Sequence, residues 1–283
     1  MILLTGDIVY GQFDDNGSAL LKLVDFMESL DIPWAPVMGN HENESYMGAD
    51  WQCEVLEQAE NCLFKQRTLT GNGNYTVGVK QGGKLKRVFF MLDSNGCSGM
   101  SEQSKANGHM KAAYGFGEDQ IEWYENMAKR IKKYSPDTKL SFAYHAPIAV
   151  FSDAYSAYGS EYPIDIDNHP DKKNGDFGYI GKTFTGWDAD NTVYEGIKAL
   201  GVDSMLVGHY HSNNASVVYD GIRFQFGNKT GTYDSVNYRK NDGTIVASST
   251  DSGFPLVGGT VMTLSESDGT ITDAYNYYCT TEY

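Results

Sequence analysis

The chain has 283 residues, 41% of them hydrophobic, and a formal net charge of −15 from 22 basic and 37 acidic side chains. This hydrophobic content is enough for a substantial core and excludes an intrinsically disordered chain. An acidic surface repels a phosphate backbone, which excludes nucleic acid as the expected partner. No apolar run reaches the roughly 18 residues of a membrane-spanning helix, so no such segment is predicted.

The first apolar run, residues 2–5, predicts a strand that ends at a Gly-Asp dipeptide. Apolar residues at helical spacing then predict a helix through 20–30, with Asn16 or Ser18 as its cap. Residue 1 leads directly into the strand, and no signal peptide is visible. We therefore expect a chain that begins within its fold, as a truncated product would.

The second strand is predicted over 32–40, where its prolines indicate a strand start or a twisted run. Gly-Asn-His-Glu follows at 39–42, and a core has little use for an amide, an imidazole and a carboxylate side by side. A second helix is predicted near 47–64. Cys53 and Cys62 would lie about 13 Å apart along it, so we expect free thiols rather than a disulfide.

The middle of the chain predicts a hairpin over 74–96, a third helix over 118–134 and a strand over 139–145. The segment 151–190 is rich in Asp, Gly, Tyr and Pro and has little periodicity, so we expect a long loop that shapes a pocket. Its candidate pocket walls, for which packing under the loop is an equal alternative, are Tyr155, Tyr158, Tyr162 and Trp187.

The last third predicts a short helix over 193–201, a strand over 202–211 and further strands in the tail, where Asp268-Gly269 signals a hairpin. Strands that alternate with helices indicate parallel pairing, and the runs of strands at the end indicate antiparallel additions. No linker or internal repeat divides the sequence. Residues 1–283 are therefore predicted to form a single mixed α/β layered domain.

Four of the predicted strands end on side chains that can bind a metal ion. These side chains are Asp7, Asn40 with His41, His145, and His209 with His211. In open α/β sheets functional groups collect beyond the carboxyl ends of the strands, so we expect these groups to converge. Carboxylate, amide and imidazole ligands suit Mn, Fe or Zn. A histidine beside such a ligand can donate a proton to a leaving oxygen.

Each block taken alone has a simpler explanation. An Asp after a strand is usually a turn residue, and a lone histidine such as His145 is more often hydrogen-bonded within a core. The blocks occur together, in order, and each follows an apolar run. This combination favours a metal site over the structural explanations.

The blocks "GDIVY", "GNHE", "YHAP" and "GHYH", with "YDGIRFQFGNKTG" after the last, resemble the signatures of the calcineurin-like metallophosphoesterases. The pairing of the first two most resembles the purple acid phosphatase branch. The resemblance spans residue 5 to about residue 233. It implies a four-layer αββα sandwich and a two-metal phosphoester hydrolase, first of all a phosphomonoesterase, in which a metal-activated water attacks a small phosphorylated substrate.

The resemblance also assigns roles to single residues. The implied ligands are Asp7 as the bridge between two ions, Asn40, His145 and His209 at one ion, and His211 at the other. His41 would act as general acid or orient the phosphate. Tyr10 stands where the purple enzymes use a tyrosinate and is a further candidate ligand. The implied metals are Fe, Mn or Zn.

One departure from the family concerns its first block. The family begins with a strand that carries an Asp-x-His or Asp-x-Gly block, and this sequence has no such block before its Gly-Asp dipeptide. The expectation is an N-terminally truncated domain without its first strand. The intact parent would hold two ions, and this chain one or two, with impaired activity. The alternative is a non-catalytic scaffold protein with a partial metal site. The acidic surface and the resemblance favour a secreted or cell-envelope location.

Overall fold

The computed structural model describes residues 1–9, 16–97, 99–107, 111–231, 237–240, 242–247 and 254–279. Within this part, the helices are α1 (Ser18–Ser29), α2 (Gly48–Gln58), α3 (Glu102–Asn107), α4 (Glu118–Tyr134), α5 (Val150–Ser156) and α6 (Thr192–Ala199). Short 3-10 helices cover Glu42–Glu44 and Ile166–Asn168. None of the helices in the described part of the chain has the length and apolar character needed to cross a membrane.

The strands of the first half are β1 (Ile2–Leu4), β2 (Trp34–Pro36), β3 (Tyr75–Gln81), β4 (Lys84–Met91) and β5 (Lys139–Ala143). The following strands are β6 (Ile164–Asp165), β7 (Tyr179–Ile180), β8 (Val202–Val207), β9 (Ser216–Tyr219) and β10 (Ile222–Phe226). The tail holds β11 (Asn237–Arg239), β12 (Ile245–Ala247), β13 (Phe254–Pro255), β14 (Gly258–Leu264) and β15 (Ile271–Tyr278).

The central sheet has the strand order β3-β4-β5-β8-β10-β9. Its inner strands β4, β5, β8 and β10 run parallel, whereas β3 and β9 pair antiparallel at the two edges. Parallel strands are covered on both faces and therefore read as nearly continuous apolar runs. The predicted mixed α/β fold with parallel and antiparallel pairing is confirmed.

Two hydrophobic clusters cover opposite faces of this sheet. Phe90 packs on one face with Phe142 and with Tyr124 of α4, whereas its neighbour Phe89 faces the other cluster. Successive residues of a strand point to opposite faces, which explains this division. The second cluster joins the sheet to β1, β2, α1 and α2, and Met262 of β14 packs against it. Helices thus lie on both sides of the β-structure.

Several predicted elements are confirmed within a few residues, and α4 covers the predicted range of 118–134. The helix α2 ends at Gln58, earlier than predicted, and both Cys53 and Cys62 are buried free thiols. The predicted cap of α1 is wrong. Gly17 occupies the N-cap at φ 84°, where a Cβ would overlap the ring of Trp51. Glycine alone fits this left-handed, crowded position.

Candidate metal centre

The functional blocks lie where strands from two sheets end. Asp7 follows β1, Asn40 follows β2, His145 follows β5 and His209 follows β8. The strands β1 and β2 pair in parallel outside the central sheet, where β5 and β8 are neighbours. The carbonyl oxygen of Thr5 accepts a hydrogen bond from His145 Nδ1 at 2.7 Å. This bond joins the end of β1 to the end of β5, so the four blocks share one edge.

Four ligand atoms face one another at this edge. His145 Nε2 lies 2.9 Å from Asp7 Oδ2, 3.1 Å from Asn40 Oδ1 and 3.2 Å from His209 Nδ1. Asn40 Oδ1 also lies 3.0 Å from His209 Nδ1. Ligands bound to one ion at roughly 2.0–2.2 Å lie about 3 Å from each other. We refer to Asp7, Asn40, His145 and His209 as the ligand cluster.

The ligand cluster fits a cation because of how His145 is held. The Thr5 carbonyl can only accept, so Nδ1 of His145 carries the proton. In the neutral ring, the Nε2 lone pair then faces the oxygen atoms of Asp7 and Asn40. Lone pairs this close repel unless a proton or a cation lies among them. One carboxylate, one amide oxygen and two imidazoles suit Mn, Fe or Zn.

The electrostatics of the ligand cluster point in the same direction. Burial raises the pKa of Asp7, but the charge and hydrogen bond of His145 outweigh burial and hold that pKa well below its usual range. Burial lowers the pKa of His145, but the Asp7 carboxylate raises it to about 9. Burial and the charge of His145 lower the pKa of His209 to about 4. Without an ion, Asp7 and His145 therefore form an ion pair, and His209 is a neutral ligand at pH 7.

The backbone around Asp7 is unusual. Gly6 has φ 90°, Asp7 has φ 51° and His209 has φ 72°, all in the left-handed region. Non-glycine residues are uncommon there, and such strain clusters at functional sites. Gly39 lies against Asp7, since a Cβ at Gly39 would stand 2.9 Å from Asp7 Cγ and closer still to Asp7 N and Oδ1. The two loops approach each other so closely that only glycine fits at position 39.

His41 is fixed at both its backbone and its ring. Its amide donates to Asp7 Oδ1 at 3.0 Å, and its ring Nδ1 lies 2.5 Å from Glu44 Oε2. The two side chains are only 14% and 5% exposed. When the Glu44 carboxylate accepts from Nδ1, a proton transfer to a substrate uses Nε2. The ring therefore has a defined orientation beside the ligand cluster.

One of the two remaining sequence-predicted ligands, His211, is not part of this arrangement. Among the described residues, Asp7, His145 and His209 offer ligand atoms within 4.8 Å of one another, and His211 does not join them. His211 Nδ1 instead lies 3.5 Å from Lys229 Nζ. Tyr10 lies outside the described residues. The structure thus brings together the four predicted ligands of one ion.

Three buried carboxylates near the cluster were missed by the sequence reasoning: Glu42, Glu44 and Asp93. Asp93 follows β4, as Asp7 follows β1. Its carboxyl group accepts hydrogen bonds from the backbone N–H groups of Asn72 and Asn95, each at 2.7 Å. Burial raises the pKa of Asp93 to about 6. The signal for Asp93 was its place at the end of an apolar run. The signal for the two glutamates was their place beside His41.

Aromatic rings beside the cluster come from unexpected parts of the chain. Tyr114 and Tyr210 contact the His209 ring edge-on, with centroids 5.4 and 4.9 Å away. Tyr155, a candidate pocket wall, is buried in the core and donates its hydroxyl proton to the carbonyl oxygens of Ala215 and Phe224. Tyr158 and Trp187 also pack against core residues. These three rings therefore match the alternative of packing under the loop. The fourth candidate pocket wall, Tyr162, is 40% exposed.

Similarity to known proteins extends over most of the chain. Residues 1–213 match the family model described as calcineurin-like phosphoesterase. The phosphatase DCR2 of Saccharomyces cerevisiae is 29% identical over 226 residues, which is 76% of this chain and 36% of that protein. The uncharacterized protein C1020.05 of Schizosaccharomyces pombe is 22% identical over 161 residues, which is 56% of this chain and 29% of that protein. The chain thus spans about a third of the length of these curated relatives. A crystal structure of a dimetal phosphatase from Danio rerio has a TM-score of 0.44 and 12% sequence identity, covering 80% of this chain and 71% of that one.

Proposed function

The chain belongs to the calcineurin-like phosphoesterase family, and on that premise we propose that it is a metal-dependent phosphomonoesterase of the purple acid phosphatase-like type. The observation that carries the proposal is the ligand cluster, in which four pairs of ligand atoms lie 2.9 to 3.2 Å apart at the ends of strands from two sheets. The pairing of Gly-Asp-x-x-Tyr with Gly-Asn-His-Glu supports the subtype.

The reaction would divide its tasks among fixed side chains. The ligand cluster would hold metal ions, which would supply positive charge to the phosphate oxygens and lower the pKa of the attacking water. Asp7 is charged and His209 neutral at pH 7, so both are in the state that a metal ligand needs. His41 acts as general acid, and its Nε2 proton passes to the ester oxygen as the bond to phosphorus breaks. The other ring proton stays on Nδ1, which donates it in a hydrogen bond to Glu44.

We propose a site for two ions of Fe, Mn or Zn. The two oxygens of Asp7 face different neighbours, because Oδ2 meets His145 and Oδ1 meets the His41 amide. A carboxylate so placed could bridge the two proposed ions. His211 and Tyr10 are the proposed ligands of the second ion. The ammonium group of Lys229, beside His211, would attract a substrate phosphate.

The test is turnover of p-nitrophenyl phosphate and bis(p-nitrophenyl) phosphate by the chain loaded with Mn²⁺ or with Fe and Zn. We expect the monoester to be the better substrate. The His41→Ala variant should keep its metal and lose about 10²–10⁴-fold in rate, as expected for a general acid. His169→Ala is the control, since this half-buried histidine packs against Tyr158 at the end of the 3-10 helix Ile166–Asn168; its turnover rate should be that of wild type.

Two results would count against the proposal. Wild-type rate in His41→Ala would exclude His41 as the general acid. A chain that binds metal but hydrolyses neither ester would favour the alternative, a non-catalytic scaffold that keeps a partial metal site.

A further inference from the structure

Glu42 lies beneath the ligand cluster without belonging to it. We propose that Glu42 is a positioning residue, which sets the metal affinity of the cluster by holding the Asp7 turn and the Gly39 turn on one carboxylate. The inference rests on the proposed function only for the identity of the metal ligands. It concerns the arrangement of the cluster before any ion binds.

The Glu42 carboxylate accepts four backbone hydrogen bonds. Oε1 accepts from the amides of Ile8 at 2.5 Å and Val9 at 3.2 Å. Oε2 accepts from the amides of Gly39 at 2.6 Å and Asp7 at 3.2 Å. The side chain is fully buried, so water does not replace these bonds. One carboxylate therefore ties together the loops that follow β1 and β2.

The Asp7 turn needs such a partner. The amides of residues 7, 8 and 9 all point at the oxygens of one carboxyl group, which is the arrangement of a backbone nest. Asp7 has φ 51°, in the left-handed region that residues other than glycine adopt only uncommonly. Strained backbone persists only where its surroundings hold it. Glu42 supplies that constraint.

The constraint reaches the ligands directly. In this turn Asp7 directs Oδ2 toward His145 and Oδ1 toward the His41 amide. Glu42 is itself anchored from α2, since buried Gln52 donates to its carbonyl oxygen at 2.8 Å. A rigid chain of contacts thus runs from α2 to Asp7. Loss of such outer support costs about 10–100-fold in metal affinity.

The chemistry of the site requires a carboxylate of this length. A Gln at position 42 offers one acceptor oxygen, and its NH₂ group would face two of the amide donors. Asp keeps both carboxyl oxygens but is one methylene shorter and reaches fewer of the four amides. The side chain Glu28 offers a matched control. It accepts from Trp34 Nε1 at 2.7 Å and from the Asn61 amide at 2.9 Å, away from the ligand cluster.

The experiment titrates Mn²⁺ into the full chain by calorimetry and compares wild type with Glu42→Gln and Glu28→Gln. Urea denaturation and amide hydrogen exchange of the metal-free proteins accompany it. We expect Glu42→Gln to bind Mn²⁺ about 10–100-fold more weakly and to lose exchange protection at Ile8 and Val9. Glu28→Gln should lower stability and leave the Mn²⁺ affinity unchanged.

Folded Glu42→Gln with wild-type Mn²⁺ affinity would overturn the inference, since a merely structural role changes stability alone. If Glu42→Gln does not fold, Glu42→Asp replaces it, and wild-type affinity in that variant would have the same meaning. Because no turnover is measured, the two proposals fail separately. A wild-type chain that binds Mn²⁺ but hydrolyses no ester would refute the phosphoesterase proposal and leave the effect of Glu42 measurable.

Discussion

Replacing Gly39 by alanine is expected to push Asp7 out of the ligand cluster. An added Cβ would stand 2.9 Å from Asp7 Cγ and closer still to Asp7 N, whereas ordinary contact begins at 3.4 Å. The loops would have to separate by more than the 0.5 Å difference between these two distances. Because one of the contacts is backbone, no flexible side-chain end can absorb the overlap.

The size of the effect follows from that displacement. Overpacking a well-packed site costs about 1–3 kcal/mol of unfolding free energy. A shift on the order of 1 Å at a catalytic group costs about 100-fold in rate. We therefore expect Gly39→Ala to fold, to bind Mn²⁺ about 10–100-fold more weakly and to turn over about 100-fold more slowly.

The assays are Mn²⁺ calorimetry, urea denaturation and turnover of p-nitrophenyl phosphate. Gly196→Ala is the control, because a Cβ at Gly196 in α6 meets nothing within 4 Å. Alanine there should add about 0.5–1 kcal/mol of stability and leave Mn²⁺ binding unchanged. If Gly39→Ala bound Mn²⁺ as wild type does, the close approach of the two loops would not be what places Asp7.

Two further predictions concern stability. Arg87→Met should lower the unfolding free energy by about 3 kcal/mol in urea denaturation, because buried Arg87 donates to Asp203 at 2.6 and 2.8 Å. The control Lys129→Ala removes an exposed ion pair with Glu125 and should change the unfolding free energy by less than about 1 kcal/mol. Equal effects of the two substitutions would contradict the prediction. Burial raises the pKa of Asp93 from 3.8 to about 6, so its contribution to stability is full below pH 3.8 and is lost as pH rises through 6. In urea denaturation of the metal-free proteins, the unfolding free energy of wild type should fall by up to about 3 kcal/mol relative to that of Asp93→Asn as pH rises from 3 to 8. Parallel curves of unfolding free energy against pH would rule this out.

Much of the fold was predictable because its signals are local. Apolar spacing predicted α4 over 118–134 and the hairpin of β3 and β4, since helices and strands have different periods. The order of the ligand blocks was also readable, because each follows an apolar run. Parallel strands share a direction, so groups at their ends share an edge.

The remaining features depend on contacts between distant residues. No pattern indicates that the amides of Ile8 and Gly39 meet one buried carboxylate at Glu42, because backbone amides are the same at every position. The helix α3 has six residues and few apolar ones, so it shows no periodicity. Tyr155 lies in the core because its segment begins with α5, which packs against the central sheet.

The metal content of the folded chain tests the central claim most directly. The protein is purified without chelator, supplied with Mn²⁺, desalted and analysed by elemental mass spectrometry, together with Asp7→Ala and His209→Ala. We predict at least one ion per wild-type chain, a ratio near two if the proposed second site is filled, and a ratio near zero in both variants. A folded wild-type chain with a ratio near zero, or variants that keep the wild-type ratio, would contradict the account.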